Sequence, residues 1–155
     1  MHPLPSIPSL ELDGPLAGVP LVCPWVTFSV SAPAFTENLA KVIHGVAVLH
    51  DWERDCLSSP SDKNAYSEPF LADVSWWKDA PVKKLLMNWG DYELFRDDRE
   101  AFSRRLKDAG QDAGQDVTAV RYPREVHIDC IFDAMMGTEY GLMSTSIWDW
   151  LDTVF

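Results

Sequence analysis

A chain of 155 residues is one domain's worth of polypeptide, long enough to bury a sizeable core. Its formal net charge of -11 argues against a nucleic-acid partner, because phosphate binding needs clustered Lys and Arg. Hydrophobic residues make up 46%, and seven Trp with seven Phe are an apolar load that needs burial or a partner. Three cysteines, Cys23, Cys56 and Cys130, are odd in number and widely spaced, which excludes a disulfide framework or a zinc ribbon and reads as buried or partly buried thiols. Met1 to Gly14 holds three prolines and no basic run followed by an apolar run, so it does not read as a signal peptide. No apolar stretch reaches the about 18 residues of a membrane span. A reducing, cytoplasmic location is the expectation.

In chain order, residues 1–16 read as loop, interrupted by Pro3, Pro5, Pro8 and Pro15. The apolar run at 17–23 suits a buried parallel strand, with Pro20 tolerated only near an edge or strand end. An irregular exit with Trp25, Phe28 and Pro33 follows. From Thr36 to Trp52, apolar residues at Leu39, Val42, Ile43, Val46, Leu49 and Trp52 predict a helix capped by Thr36, with Gly45 weakening it. Residues 53–81 are turn-rich, and this interruption of the strand–helix alternation is where a lid would sit.

Residues 82–89 predict a second strand ending at Gly90. Asp97 and Asp98 open a helix, where the positive end of its dipole favours them; Phe95, Phe102, Leu106 and Ala109 form its apolar face and Gly110 its end. A third strand at Val117–Tyr122 stops at Pro123. Ile128, Ile131, Phe132, Met135 and Met136 have helical spacing, and Ser144 or Ser146 is expected to cap a last helix carrying Ile147, Trp148, Leu151 and Phe155. The sequence Ala-Gly-Gln-Asp occurs twice in succession, at 109–112 and 113–116, and reads as a loop insertion between helix and strand. The expected fold is α/β, a mainly parallel three-stranded sheet flanked by helices. Its strands lie near 18–23, 83–89 and 117–122, in a single domain spanning 1–155 with a cap-like insertion at about 32–65.

In such sheets the ligand crevice lies beyond the C-terminal strand ends. Two turns there carry chemistry: Gly90-Asp91-Tyr92-Glu93 after the second strand, and Pro123-Arg124-Glu125-Val126-His127 after the third. An acid first and a histidine later is the chain order of the last two members of an α/β-hydrolase triad, in which the acid orients the imidazole and the imidazole takes a proton from serine. His44 and His50 lie six apart and do not stack as a ligand pair, His2 is in the opening loop, and no metal or cofactor motif is present.

Several ordered segments resemble hormone-sensitive-lipase-type α/β-hydrolases. Leu16-Ala17-Gly18-Val19-Pro20-Leu21-Val22-Cys23-Pro24-Trp25-Val26 is similar to the strand that follows that family's nucleophile helix. Gly90 to Asp98 resembles its acid turn, and Arg104 to Gly110 the following helix. Tyr122-Pro123 with His127 resembles its histidine loop, and Phe70 to Asp73 with Trp76-Trp77 the link from cap to acid strand. The resemblance runs from about residue 16 to the end. It implies a partial α/β-hydrolase fold, with Glu93 as catalytic acid (many relatives have Asp there), Asp91 as its rival, and His127 as base. It implies a carboxylic-ester hydrolase acting on small or medium acyl esters or lactones.

None of the eight glycines opens the Gly-x-Ser-x-Gly elbow, and the His-Gly-Gly-Gly oxyanion segment is also missing; in the resembled family both lie upstream of the point where this chain begins. Cys23 and Cys130 sit on no elbow and are poor substitutes. The expectation is therefore the C-terminal part of such an enzyme, inactive alone. The alternative is a pseudoenzyme that binds or scaffolds. The expected partners are a small ester or apolar ligand, a second copy of the chain, or a complementing N-terminal fragment that covers the open sheet edge.

Overall fold

The computed structural model describes residues 12–42 and 44–155. Expectations for residues 1–11, His2 among them, and for Ile43 lie outside the described residues.

Strand β2 (Val82–Gly90) is the centre of a three-stranded parallel sheet of order β1-β2-β3, with β1 at Leu16–Val22 and β3 at Asp116–Tyr122. Its run of Leu, Met and Trp fits this place: its last six residues are all buried. Val22 and Val120 flank Asn88 on either side, so the C-terminal ends of all three strands fall level. Pro20 lies in β1, an edge strand among the described residues, which is the setting where a missing N–H is tolerated.

The main core joins Val82, Leu85, Met87 and Trp89 of β2 to Phe102 and Leu106 of α4 (Arg96–Ala113), with Cys23, Val26, Tyr122 and Met143. Asp97 and Asp98 stand in the first turn of α4, as expected. The helix does not end at Gly110. It runs to Ala113 and closes on Gly114 at φ 70, whose N–H bonds to Gly110 O. Gly110 is required for a different reason: a Cβ there would lie 2.5 Å from the Val117 side chain. The first Ala-Gly-Gln-Asp therefore lengthens α4 and the second forms its cap and the start of β3, so the duplication is not confined to a loop.

The helix expected from Thr36 to Trp52 is broken. Residues 34–37 form a single turn, α1 (Ala34–Glu37), followed by a 3-10 turn at Leu39–Lys41, and α2 (Val46–Cys56) begins afresh after Gly45. Thr36 lies inside α1 and caps nothing; Asp97 of α4 caps it instead, accepting the Ala34 N–H at 2.8 Å. The break follows from Asn38, whose fully buried side chain bonds to the turn after β2. A second cluster forms here, with Phe35 and Leu49 packed on Leu94 and Phe95. The turn-rich stretch that follows holds α3 (Val74–Lys78), which lays Trp77 edge-on against Phe102 at 5.2 Å.

After β3 come α5 (Asp129–Met136) and α6 (Leu142–Asp152). Neither Ser144 nor Ser146 caps α6; both lie within it, and Gly141 precedes it. The cap is tertiary: Glu125 accepts the Met143 N–H at 3.0 Å, and Asp133 accepts Gly141 N–H at 2.8 Å and the Ser144 hydroxyl at 2.7 Å. Helix α6 crosses β1 at Gly18, where a Cβ would meet the Trp150 ring at 2.7 Å. Trp150 is thus the buried tryptophan of α6, while Trp148 and Phe155, expected on its apolar face, are exposed, as are Met135, Met136, Tyr140 and Leu142.

Candidate active site

The end of β2 and the loop after β3 approach as closely as backbone allows. A Cβ on Gly90 would lie 2.2 Å from Glu125 O, so only glycine fits. Asp91 N–H bonds to Tyr122 O at 2.8 Å and Tyr92 N–H to Glu125 O at 3.0 Å. These contacts set the turn carrying Glu93 against the loop carrying His127. Glu93 Oε2 lies 2.8 Å from His127 Nδ1. A carboxylate only accepts, so Nδ1 carries the proton and Nε2 keeps its lone pair. The acid is 1% exposed and the imidazole 50%, so a buried carboxylate holds a ring that solvent can reach.

The acid is fully engaged. Its Oε1 accepts Gly90 N–H at 2.7 Å and the Cys23 thiol at 3.2 Å. Its Oε2 also pairs with Arg99 Nη1 from α4. Arg99 is completely buried, and donates from Nε to Pro24 O at 2.8 Å and from Nη2 to Cys23 O at 2.7 Å. Burial pulls its pKa down to about 10, which leaves it cationic at neutral pH. Asn38 supports the turn from the other side, donating to Asp91 O at 3.0 Å and Glu93 O at 2.9 Å. Burial, followed by the Arg99 charge, pulls His127 from 6.5 down to about 4.

Backbone strain gathers at the same place. Among the described residues, the non-glycine positions with positive φ are Cys23 (47), Arg124 (65) and Ile128 (50). Cys23 follows β1, and Arg124 and Ile128 bracket the histidine loop. A β-branched residue such as Ile128 is a steric outlier there, and such outliers cost on the order of 1–3 kcal/mol each. Ile128 N–H bonds to the Cys23 sulfur at 3.3 Å, so the strained positions support one another.

The structure thus brings Glu93 and His127 together and separates Asp91 from them; the Asp91 carboxylate faces Arg121 at 3.5 Å. Cys23 reaches the site through the acid and not as a nucleophile: burial pushes its thiol up despite the opposing pull of Arg99. Burial raises Cys130 as well. Ligand atoms of Cys23, Glu93 and His127 lie within 4.8 Å of one another, a spacing that could suit a metal ion. The donor set does not fit one, because the Arg99 cation already occupies the carboxylate and the thiol is held protonated. Arg99 and Asn38 are the site residues that reading the sequence missed. Arg99 left a signal: it falls between Phe95 and Phe102 on the apolar stripe of α4, where a charge must find a partner.

Parallel strands in one sheet, flanked by helices and delivering their chemistry at their C-terminal ends, define a partial α/β-hydrolase fold. The sequence profile described as alpha/beta hydrolase fold matches residues 7–130, and the chain belongs to that family. No curated protein matches it significantly. Among solved structures it is similar to a thermostable esterase from Pseudomonas putida ECU1011, at 22% identity and TM-score 0.62, over 73% of this chain and 34% of that one. It is similar to an esterase of the bacterial hormone-sensitive lipase family at 19% identity and TM-score 0.62, over 77% and 37%. A hyperthermophilic esterase from Pyrobaculum calidifontis gives 26% identity and TM-score 0.60, over 74% and 36%. The chain thus spans about a third of the length of these structures.

Proposed function

We propose that this chain supplies the acid and the histidine of a carboxylic-ester hydrolase acting on small or medium acyl esters or lactones, and that it depends on a serine-bearing segment outside these 155 residues. The observation that carries this reading is the 2.8 Å contact between buried Glu93 and half-exposed His127 at the C-terminal ends of adjacent parallel strands. The pair has the roles of orienting acid and general base. The proposed partners follow from the surface. Neither outer edge of the sheet is paired among the described residues, and Met135, Met136, Leu142 and Trp148 are exposed. A complementing N-terminal fragment or a second copy of the chain would cover them. Three unpaired thiols suit a reducing compartment such as the cytoplasm, and no helix among the described residues is long and apolar enough to cross a membrane.

The test is hydrolysis of p-nitrophenyl acetate and butyrate. Alone, the chain should show no His127-dependent turnover, since loss of a triad nucleophile costs on the order of 10⁶ in rate. Mixed with a family fragment carrying Gly-x-Ser-x-Gly, it should form a complex whose hydrolysis disappears with His127→Ala. Robust turnover by the chain alone, lost with His127→Ala, contradicts the reading. A second reading, a non-catalytic protein that binds an apolar ligand, is favoured by the depressed basicity of His127 and by a cleft of about 240 Å³ bounded by Trp25, Thr27, Phe28, Cys56 and Ser67.

A further inference from the structure

Glu93 has one negative charge and four partners. Oε1 is filled by Gly90 N–H and the Cys23 thiol, and Oε2 is shared between Arg99 Nη1 and His127 Nδ1. Arg99 Nη2 stands 3.4 Å from His127 Nδ1. Both nitrogens carry protons, so this approach is no hydrogen bond; it sets a full positive charge beside the imidazole. In an acid–histidine pair that works by proton transfer, the carboxylate stabilises the imidazolium as it forms. Here that charge is already matched by a guanidinium that keeps its proton at neutral pH, and protonating the ring would put two cations on one carboxylate.

We propose that Arg99 is a positioning residue that claims the Glu93 carboxylate in place of an imidazolium: it ties the acid turn to the end of β1 and keeps His127 a neutral hydrogen-bonding group with its lone pair at Nε2. The three backbone elements it joins support this. Its Nε and Nη2 hold the carbonyls of Pro24 and Cys23, its Nη1 holds the acid, and its own helix starts from the acid turn. The groups that face His127 are Glu93 from the acid turn, Arg99 from α4 and the Cys23 thiol from the exit of β1. Asp129 and Cys130 open α5 just beyond it, while Glu125 is turned onto the Met143 N–H. The downward direction of the His127 pKa, from burial and then Arg99, agrees.

The proposal rests on reading Glu93 and His127 as a hydrolase acid and base and describes their resting state, in which the imidazole is neutral with its Nε2 lone pair free to accept a proton; its test needs neither a nucleophile nor turnover. Failed complementation with a low His127 midpoint that rises in Arg99→Met sinks the hydrolase reading and keeps this proposal; successful complementation with a midpoint at 6.5 does the reverse. The test is an NMR titration of the His127 imidazole in the full chain, as wild type, Arg99→Lys and Arg99→Met, with near-UV circular dichroism reporting the fold. The wild-type midpoint should lie at least about one pH unit below the ordinary 6.5. Arg99→Met should raise it by about one unit or more, and Arg99→Lys, which keeps the cation, should hold it low. A role in packing alone would leave the midpoint unmoved in folded Arg99→Met, and that result overturns the proposal. Should Arg99→Met fail to fold, wild type and Arg99→Lys decide: a midpoint at or above 6.5 in either overturns it.

Discussion

Helix α4 meets two different interiors along one stripe. At its start, Arg99 lies among Glu93, the carbonyls of Cys23 and Pro24, and His127. One and two turns further, Phe102 and Leu106 lie among Leu85, Met87, Trp89 and Trp77. Both ends are buried, yet they are held by different physics. The apolar end gains by area removed from water, and each side chain contributes nearly on its own. The polar end is stable only as a completed network, in which each group's burial cost is offset by its partners. The site end should therefore respond to mutation non-additively and to pH, and the sheet end to neither.

The largest effect should come from breaking the network. Arg99→Met leaves a buried carboxylate without its cation and should destabilise by about 3–5 kcal/mol in urea unfolding. Glu93→Gln with Arg99→Met should cost about 1–3 kcal/mol less than the sum of the single changes. Strict additivity would erase the distinction between the two interiors. At the apolar end, Met87→Ala and Leu106→Ala should each cost about 2–5 kcal/mol. Those costs should be the same at pH 5 and pH 8, because Cys23 and Tyr122, the titratable members of that core, are both pushed above their ordinary values and stay neutral over this range.

Smaller effects are expected at the helix ends. Glu125→Ala removes the tertiary cap of α6 and should cost about 1–2 kcal/mol, with loss of amide-exchange protection at Met143. Asp98 is raised to about 6 by burial and by Asp97, and its Oδ2 is buried without a partner. Its folded pKa lies above the unfolded 3.8, so it lowers stability as pH rises through 4 to 6. Asp98→Asn should therefore gain about 1 kcal/mol at pH 8 and nothing near pH 3. His127 acts in the opposite sense. Its folded pKa lies below 6.5, so the unfolded chain binds the extra proton, and stability rises with pH from about 4 to 6.5. The Asp98→Asn variant should expose that rise, and the further change His127→Gln should abolish it.

Much of this was legible because strands and a long helix announce themselves locally. Leu85, Leu86 and Met87 in an apolar run, and the spacing of Phe102, Leu106 and Ala109, carry the sheet and α4 without outside help. The meeting of Glu93 and His127 was legible through topology, since adjacent parallel strands deliver their following turns to one edge. What escaped was every boundary decided by a distant residue. The break at Asn38 is made by carbonyls more than fifty residues away, and the start of α6 by Glu125 and Asp133. Arg99 showed only as a charge on an apolar stripe; its partners lie just past β1 and on the acid turn, which no local pattern names.

Glu93 orients His127 through Nδ1 and leaves Nε2 as the free nitrogen. Long-range ¹H–¹⁵N NMR of the labelled imidazole at pH 7 reads this arrangement. The structure predicts a protonated Nδ1 and an unprotonated Nε2 in the wild type, and loss of that preference in Glu93→Gln. A wild-type ring protonated at Nε2, with the same spectrum in Glu93→Gln, would contradict it.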